Sequence, residues 1–216
     1  MIRLPRLYAI FDACSYNTSL YKHGRSLFSS SVSILASANA LLAAGVTLVQ
    51  YRNKSGNACE MLDHARELRH LAGNSVKLIM NDRADLCLAA SFDGVHLGQD
   101  DLSPESARKI IGKQLWLGVS THNPDQVAEA DQTTADYIAV GPVFATASRS
   151  NPDPVIGLEG VRRARALTRK PLVAIGGITR ANCREVITAG ADSVAVISDL
   201  LRSPRQSAEE FLCILG

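Results

Sequence analysis

Short runs of apolar and β-branched residues recur along the chain, separated by longer segments with helical periodicity. Eight runs have the length of a buried strand: residues 6–11, 46–52, 76–80, 94–98, 115–120, 137–144, 171–177 and 193–198. Their interiors are continuously apolar rather than strictly alternating, which is typical of parallel strands that are covered on both faces. The pattern therefore predicts a parallel sheet of eight strands.

The segments between these runs have the apolar spacing of amphipathic helices. Several begin with a capping residue, such as Ser103 and Asn123, and others end on glycine, such as Gly73. Alternating strands and helices predict an α/β fold, and eight βα units are the number that closes a (β/α)8 TIM barrel. An open, doubly wound sheet is the alternative. Because no long linker interrupts the pattern, we predict one barrel domain over residues 1–216.

Composition narrows the classes of function without changing this fold. In 216 residues, 23 basic side chains nearly balance 21 acidic ones, so no whole-chain field favours a nucleic-acid or membrane partner. The five cysteines are widely spaced and form no CxxC pair, which argues against a disulfide framework and a zinc site. We expect no targeting or membrane-spanning segment, because the apolar stretch near residue 1 is short and no uninterrupted apolar run reaches spanning length. We therefore expect a cytoplasmic protein with small-molecule partners, and a homo-oligomer is left open.

Polar residues cluster where predicted strands end, which is the functional face of a (β/α)8 barrel. They are Gln50, Arg52 and Lys54 after strand two, Asn81 and Asp82 after strand three, Gln99, Asp100 and Asp101 after strand four, and Ser120, Thr121 and His122 after strand five. Carboxylates from neighbouring strands suit a hard divalent cation, and Mg²⁺ is the expected ion if phosphate oxygens complete its shell. We therefore predict a metal site at Asp82 and Asp101, with Arg52 and Lys54 binding phosphate beside it.

Structural roles compete with these functional ones. Asp82 could cap the short helix that follows it. Asp101 has no obvious structural task, because Ser103 already caps the next helix. His122 precedes a capped helix, and a histidine there is more often a hydrogen-bonded support residue than a base. His64 is expected on a helical surface, and His96 in the middle of a strand carries no specific signal.

A second candidate site follows the last two strands. Gly176 and Gly177 follow strand seven, and Ile197 and Ser198 follow strand eight, where barrels often bind phosphate through backbone N–H groups. The alternative is that the glycines only turn the chain into a helix capped by Thr179. Two anion sites imply two phosphorylated substrates or one very elongated one.

Seven motifs occur in order along the chain: QYRNK, MNDRADL, DGVHLGQDD, GVSTH, GPVFATAS, VAIGGI and GADSVAVIS. This series resembles the motifs of the thiamine-phosphate synthase family over nearly the whole chain. The resemblance implies a (β/α)8 transferase that joins the diphosphate of a hydroxymethylpyrimidine to a thiazole phosphate and releases pyrophosphate. It also implies Mg²⁺ as the cofactor.

The resemblance assigns roles to individual residues. It implies pyrimidine diphosphate binding by Gln50, Arg52, Lys54, Asn81 and Ser120, metal binding by Asp82 and Asp101, and thiazole phosphate binding by Thr146, Ala147, Ser148, Gly177, Ile197 and Ser198. Arg149 stands where the family usually carries lysine, and we expect it to act on the diphosphate. Arg52, Lys54, Ser120 and Arg149 are then the expected catalytic residues.

Three other functions compete with this interpretation. A barrel that tautomerises the thiazole phosphate would share the phosphate site but need not keep the diphosphate and metal residues. A non-catalytic binder of thiamine precursors is a second alternative. A sugar-phosphate isomerase would need a positioned acid and base pair, which the sequence does not offer. By contrast, a reaction in which pyrophosphate leaves first requires no such pair.

Overall fold

The fold is a closed barrel of eight parallel strands. The computed structural model describes residues 2–13, 30–146, 153–201 and 203–216. Each strand pairs with its neighbours in sequence, and the last strand returns to the first. The strands are β1 (Leu7–Asp12), β2 (Leu48–Arg52), β3 (Lys77–Asn81), β4 (Gly94–Leu97), β5 (Trp116–Thr121), β6 (Tyr137–Val140), β7 (Leu172–Ile175) and β8 (Ser193–Val196). The predicted (β/α)8 barrel is confirmed, and the open sheet is wrong.

Helices alternate with the strands. They are α1 (Ser30–Ala43), α2 (Ala58–Ala72), α3 (Ala84–Ala89), α4 (Pro104–Ile111), α5 (Pro124–Gln132), α6 (Gly157–Leu167), α7 (Cys183–Thr188) and α8 (Pro204–Leu215), and a 3₁₀ turn lies at Ser198–Leu200. The predicted caps are confirmed, because Ser103 and Asn123 each accept a backbone N–H from the first turn. Among the described helices, none has the length and apolar content needed to cross a membrane.

Four strands end earlier than the apolar pattern predicts: β4 and β8 end at Leu97 and Val196, and β6 and β7 have identifiable causes. β6 ends at Val140, since Pro142 has no N–H with which to continue the ladder. β7 ends at Ile175, because Gly176 has a φ of 100°, which lies outside the strand region. Because β6 and β7 end early, the backbone of the loops that follow them lies at the functional end of the barrel.

Two apolar layers stabilise the barrel. Inside it, Tyr8, Ile79, Tyr137 and Val173 are buried against one another. A larger cluster fills the space between the strands and the helices. Full burial of one such side chain contributes about 1.5–3 kcal/mol. These layers hold the strand ends, and therefore the side chains that project from them, in fixed positions.

Three aspartates clamp the amino-terminal end of the barrel in the same way. Each carboxylate accepts a backbone N–H at the start of a neighbouring strand and pairs with an arginine in the last turn of a helix. The pairs are Asp93 with Arg69, Asp136 with Arg108, and Asp192 with Arg165. Because these clamps lie at the strand starts, they fix the barrel far from its functional end.

Candidate active site

The carboxyl ends of the strands surround a cavity of about 370 Å³. The predicted site residues that line it are Gln50, Arg52, Lys54, Asn81, Asp82, Ser120, Thr146, Gly177, Ile197 and Ser198. Of the other strand-end residues named from the sequence, Gln99, Asp100, His122 and Gly176 line it as well. Asp101 does not line the cavity, but its carboxylate contacts that of Asp82. Ala147, Ser148 and Arg149 lie outside the described residues. The two candidate anion sites therefore belong to a single cavity.

The basic residues near the end of β2 are each held by a carboxylate. Arg52 forms an ion pair with Asp12, which is 2% exposed, and Lys54 forms one with Asp82. Asp12 lies directly beside Arg52 in the β1–β2 register. The sequence pattern did not lead us to predict a functional role for Asp12, although its position at the end of the first strand could have indicated one.

Asp82 and Asp101 form a carboxylate pair at the cavity edge. Asp82 has a φ of 63°, and Arg83 occupies the cap position of α3, so the role of Asp82 as a helix cap is wrong. Burial raises the pKa of Asp82 and Asp101 raises it further, whereas Lys54 lowers it. Asp101 does have a structural contact, since it accepts the Gly98 N–H at 2.6 Å. The pair thus places two carboxylates beside one lysine.

A chain of hydrogen bonds crosses the barrel interior. It runs from Gln50 through Tyr8, Tyr137 and His96 to Ser120, with successive donor–acceptor distances of 2.8, 3.0, 3.1 and 2.9 Å; we refer to it as the Gln50–Ser120 chain. Burial lowers the pKa of His96 to about 4, so its imidazole is neutral at neutral pH. The sequence gives no specific signal for His96, because its contacts depend on strands distant in sequence.

His122 is hydrogen-bonded, as the sequence predicts, and it also lines the cavity. Its Nδ1 lies 2.6 Å from the Gly141 carbonyl oxygen, to which it donates, and 3.4 Å from a carboxylate oxygen of Asp153. The prediction for His64 is wrong, since this residue is buried and its Nδ1 lies 3.0 Å from the Tyr51 hydroxyl. His122 therefore connects β5 to the segment that follows β6.

Gly177 is required by packing as well as by its place in the cavity. Its φ is 63°, and a Cβ here would lie 2.5 Å from the Ala145 carbonyl oxygen. Asn182 donates to the Gly177 carbonyl at 3.1 Å and accepts the Thr179 N–H at 2.8 Å. The predicted Thr179 cap is therefore wrong, because this turn delays the start of α7 until after Asn182.

Backbone N–H groups are available at this end of the cavity. Ser198 begins the 3₁₀ turn after β8. Among the described residues, none accepts a hydrogen bond from the backbone N–H of Gly177 or Ser198. Unpaired N–H groups beside a helical turn favour an anion. The geometry thus suits a phosphate on the side of the cavity formed by β7 and β8.

Comparison with known proteins relates the chain to one group of enzymes. Residues 26–200 match the family model described as thiamine monophosphate synthase. A thiamine-phosphate synthase of Koribacter versatilis is 58% identical over 214 residues, which cover 99% of this chain and 97% of that protein. Another, of Chloroflexus aurantiacus, is 47% identical over 160 residues, 74% of each chain.

Solved structures agree with this relationship. A thiamine phosphate pyrophosphorylase from Pyrococcus furiosus superposes with a TM-score of 0.81 at 33% identity, covering 97% of this chain and 95% of that one. A phosphoribosyl anthranilate isomerase from Thermus thermophilus covers 97% of this chain and 98% of its own, with a TM-score of 0.64 at 13% identity. The second likeness is one of fold alone.

Proposed function

This chain belongs to the thiamine-phosphate synthase family, and on that premise we propose how its cavity performs the reaction. The protein is a transferase of thiamine biosynthesis that uses small phosphorylated substrates. We infer that it joins 4-amino-5-hydroxymethyl-2-methylpyrimidine diphosphate to hydroxyethylthiazole phosphate and releases pyrophosphate. The observation that carries this assignment is the meeting of both candidate anion sites in one cavity.

The side of the cavity formed by β2 to β5 takes the pyrimidine diphosphate. Arg52 and Lys54 supply positive charge for the diphosphate, and Asn81 and Ser120 add hydrogen-bonding groups. Gln50 is 2% exposed and presents its amide from the barrel interior, where an amide suits the amino group and ring nitrogens of a pyrimidine. The ring would lie inside the barrel and the diphosphate at its mouth.

Asp82 and Asp101 fit a magnesium ion, which prefers hard oxygen ligands. Burial and Asp101 raise the pKa of Asp82 despite the ion pair with Lys54, so a cation at this pair would relieve an unfavourable charge. In the described part of the chain, no three His, Cys, Asp or Glu side chains form a complete ligand set. Water and diphosphate oxygens would therefore complete the shell. Bound there, Mg²⁺ would neutralise charge on the leaving pyrophosphate.

The opposite side of the cavity takes the thiazole phosphate. The backbone N–H groups of Gly177 and Ser198 are free of partners among the described residues, and Ile197 and Thr146 line the same region. Ala147 and Ser148 are proposed as further phosphate contacts, because the family resemblance implies them. This arrangement places the thiazole across the cavity from the pyrimidine.

The chemistry requires charge stabilisation rather than an acid and base pair. The bond between the pyrimidine methylene carbon and the diphosphate oxygen breaks first, and its electron pair leaves with pyrophosphate. The electron-rich aminopyrimidine stabilises the resulting cation, and the thiazole nitrogen donates its lone pair to form the new C–N bond. Arg52 and Lys54 stabilise the developing negative charge, and exclusion of water protects the cation from hydrolysis. Arg149 is proposed to assist them in place of the lysine usual in the family.

Steady-state kinetics with each substrate varied in turn tests this division. We expect Lys54→Ala to lower kcat/KM for the pyrimidine diphosphate by about one to three decades, since it removes a charged donor. Ser198 also brings a hydroxyl to this side of the cavity. Ser198→Ala removes that hydroxyl and keeps the backbone N–H, so it should raise KM for the thiazole phosphate about fivefold, the loss of one side-chain hydrogen bond worth ~1 kcal/mol. Lys109→Ala, which removes an exposed lysine of α4, is the control.

Two outcomes would contradict the division. If both variants impaired the same substrate, the two sites would not be separate. If Lys54→Ala turned over as fast as the parent, the lysine would have no role in the diphosphate site. Gly177 is a poor position for such a test, because an added Cβ would meet the Ala145 carbonyl oxygen whether or not phosphate binds.

A further inference from the structure

Tyr137 fills a space inside the barrel that a glycine on the neighbouring strand leaves open. It is fully buried and does not line the cavity, yet its hydroxyl bonds to Tyr8 and His96, which do. Its ring stacks on His96 with 5.5 Å between centroids. On the neighbouring strand, a Cβ at Gly118 would lie 2.0 Å from the Tyr137 ring. A glycine in β5 therefore makes room for a phenol that reaches no substrate itself.

The direction of the Gln50–Ser120 chain follows from its first donor. Gln50 Nε2 can only donate, so the Tyr8 oxygen accepts. If each phenol accepts once and donates once, Tyr8 donates to Tyr137 and Tyr137 donates to His96 Nδ1, an order in which successive bonds strengthen one another. A neutral imidazole that accepts at Nδ1 carries its proton on Nε2, and this N–H donates to Ser120 Oγ. Ser120 then keeps its own hydrogen for a group in the cavity.

We propose that the Gln50–Ser120 chain couples recognition of the pyrimidine ring at Gln50 to the orientation of the Ser120 hydroxyl, which it presents as a donor to the diphosphate. Tyr137 and His96 are therefore positioning residues for the reaction. The inference rests on the proposed substrate sites of Gln50 and Ser120. Its physical reason is that negative charge develops on the leaving pyrophosphate, where a donor held in place stabilises the transition state.

A double-mutant cycle tests whether the tyrosine acts through the serine. Tyr137→Phe removes the hydroxyl and keeps the ring. We expect it to lower kcat about tenfold, which is less than the effect of removing a transition-state donor directly. KM for the thiazole phosphate should stay unchanged. In a Ser120→Ala background the same change should have no further effect on kcat, because the two residues act as a unit.

The control variant removes a tyrosine hydroxyl that makes the same kind of hydrogen bond outside the cavity. Tyr51 is a buried tyrosine whose hydroxyl also bonds to a histidine Nδ1, that of His64, and it does not line the cavity. Tyr51→Phe should therefore leave kcat unchanged. The proposal is overturned if Tyr137→Phe has the parent kcat, or if its loss in kcat is equally large in the parent and Ser120→Ala backgrounds, as a purely structural role would give.

The tautomer of His96 provides a readout that does not depend on turnover. ¹⁵N NMR of the imidazole at neutral pH, assigned by the loss of its signals in His96→Gln, should show protonated Nε2 and unprotonated Nδ1. Protonated Nδ1 would reverse the chain and overturn the proposal, even in an active enzyme. The expected tautomer in a protein that makes no thiamine phosphate would support the direction of the chain and refute the proposed reaction instead.

Discussion

Arg52 and Lys54, two basic side chains of the cavity, are each paired with a carboxylate. Arg52 would be a mobile cation on a strand end, but Asp12 fixes its guanidinium from the adjacent strand. Lys54 is half-exposed and paired with Asp82. Arginine presents its donors in a rigid fork, so its orientation matters more than that of lysine. Asp12 therefore determines which way the Arg52 donors face.

Asp12→Asn tests this orienting role. The change keeps the shape of the side chain and removes its charge, so Arg52 loses its fixed position. We expect kcat/KM for the pyrimidine diphosphate to fall about ten- to a hundredfold, the cost of a misplaced catalytic group. Asp93→Asn, which disrupts the ion pairs with Arg69 and Lys77 at the opposite end of the barrel, should leave kcat/KM unchanged. Equal kinetics in Asp12→Asn and the parent would show that Arg52 needs no carboxylate to act.

At the scale of the secondary-structure elements, the three aspartate–arginine clamps stabilise the barrel at the end opposite the cavity. Arg108 illustrates the design, since its guanidinium donates to Asp136 at 2.7 Å and to the carbonyl oxygens of Gly112, Leu115 and Thr134. These contacts join α4 to the segments that precede β5 and β6. They lie at the strand starts, whereas the cavity lies at the strand ends.

Arg108→Ala should therefore destabilise the protein without impairing catalysis. We expect the free energy of unfolding in urea to fall by about 1.5–3 kcal/mol, the usual range for a hydrogen bond to a charged group, and kcat at 25 °C to stay at the parent value. Arg162→Ala removes an exposed arginine that pairs with Glu159 within α6 and should cost less than about 1 kcal/mol. Unchanged stability in Arg108→Ala, or a folded variant with lower kcat, would contradict the clamp.

The sequence predicted the elements better than it predicted the contacts between them. Apolar runs located all eight strands, because buried parallel strands must be apolar on both faces. Polar residues at strand ends, such as Lys54 and Asp82, were found because this face carries function in any such barrel. His96 and Tyr137 were not found. Their partners come from strands distant in sequence, and only the closed register brings them together.

In the molecule as a whole, the cavity sits where all eight strands end. It brings Arg52, Lys54 and Asp82 opposite the backbone N–H groups of Gly177 and Ser198, which have no partner in the described part of the chain. Two phosphorylated substrates can therefore approach the same space from opposite sides. In the proposed reaction, a thiazole nitrogen held in this way would need no further activation to capture the cation.

The most direct test is to incubate the purified protein with both substrates and Mg²⁺, and to measure thiamine phosphate and pyrophosphate over time, with and without excess EDTA. We predict equal amounts of the two products, no turnover in EDTA, and recovery when Mg²⁺ is restored, because Asp82 and Asp101 are proposed to hold the ion. A protein that binds both precursors but releases no pyrophosphate, or one with full turnover in EDTA, would contradict this account.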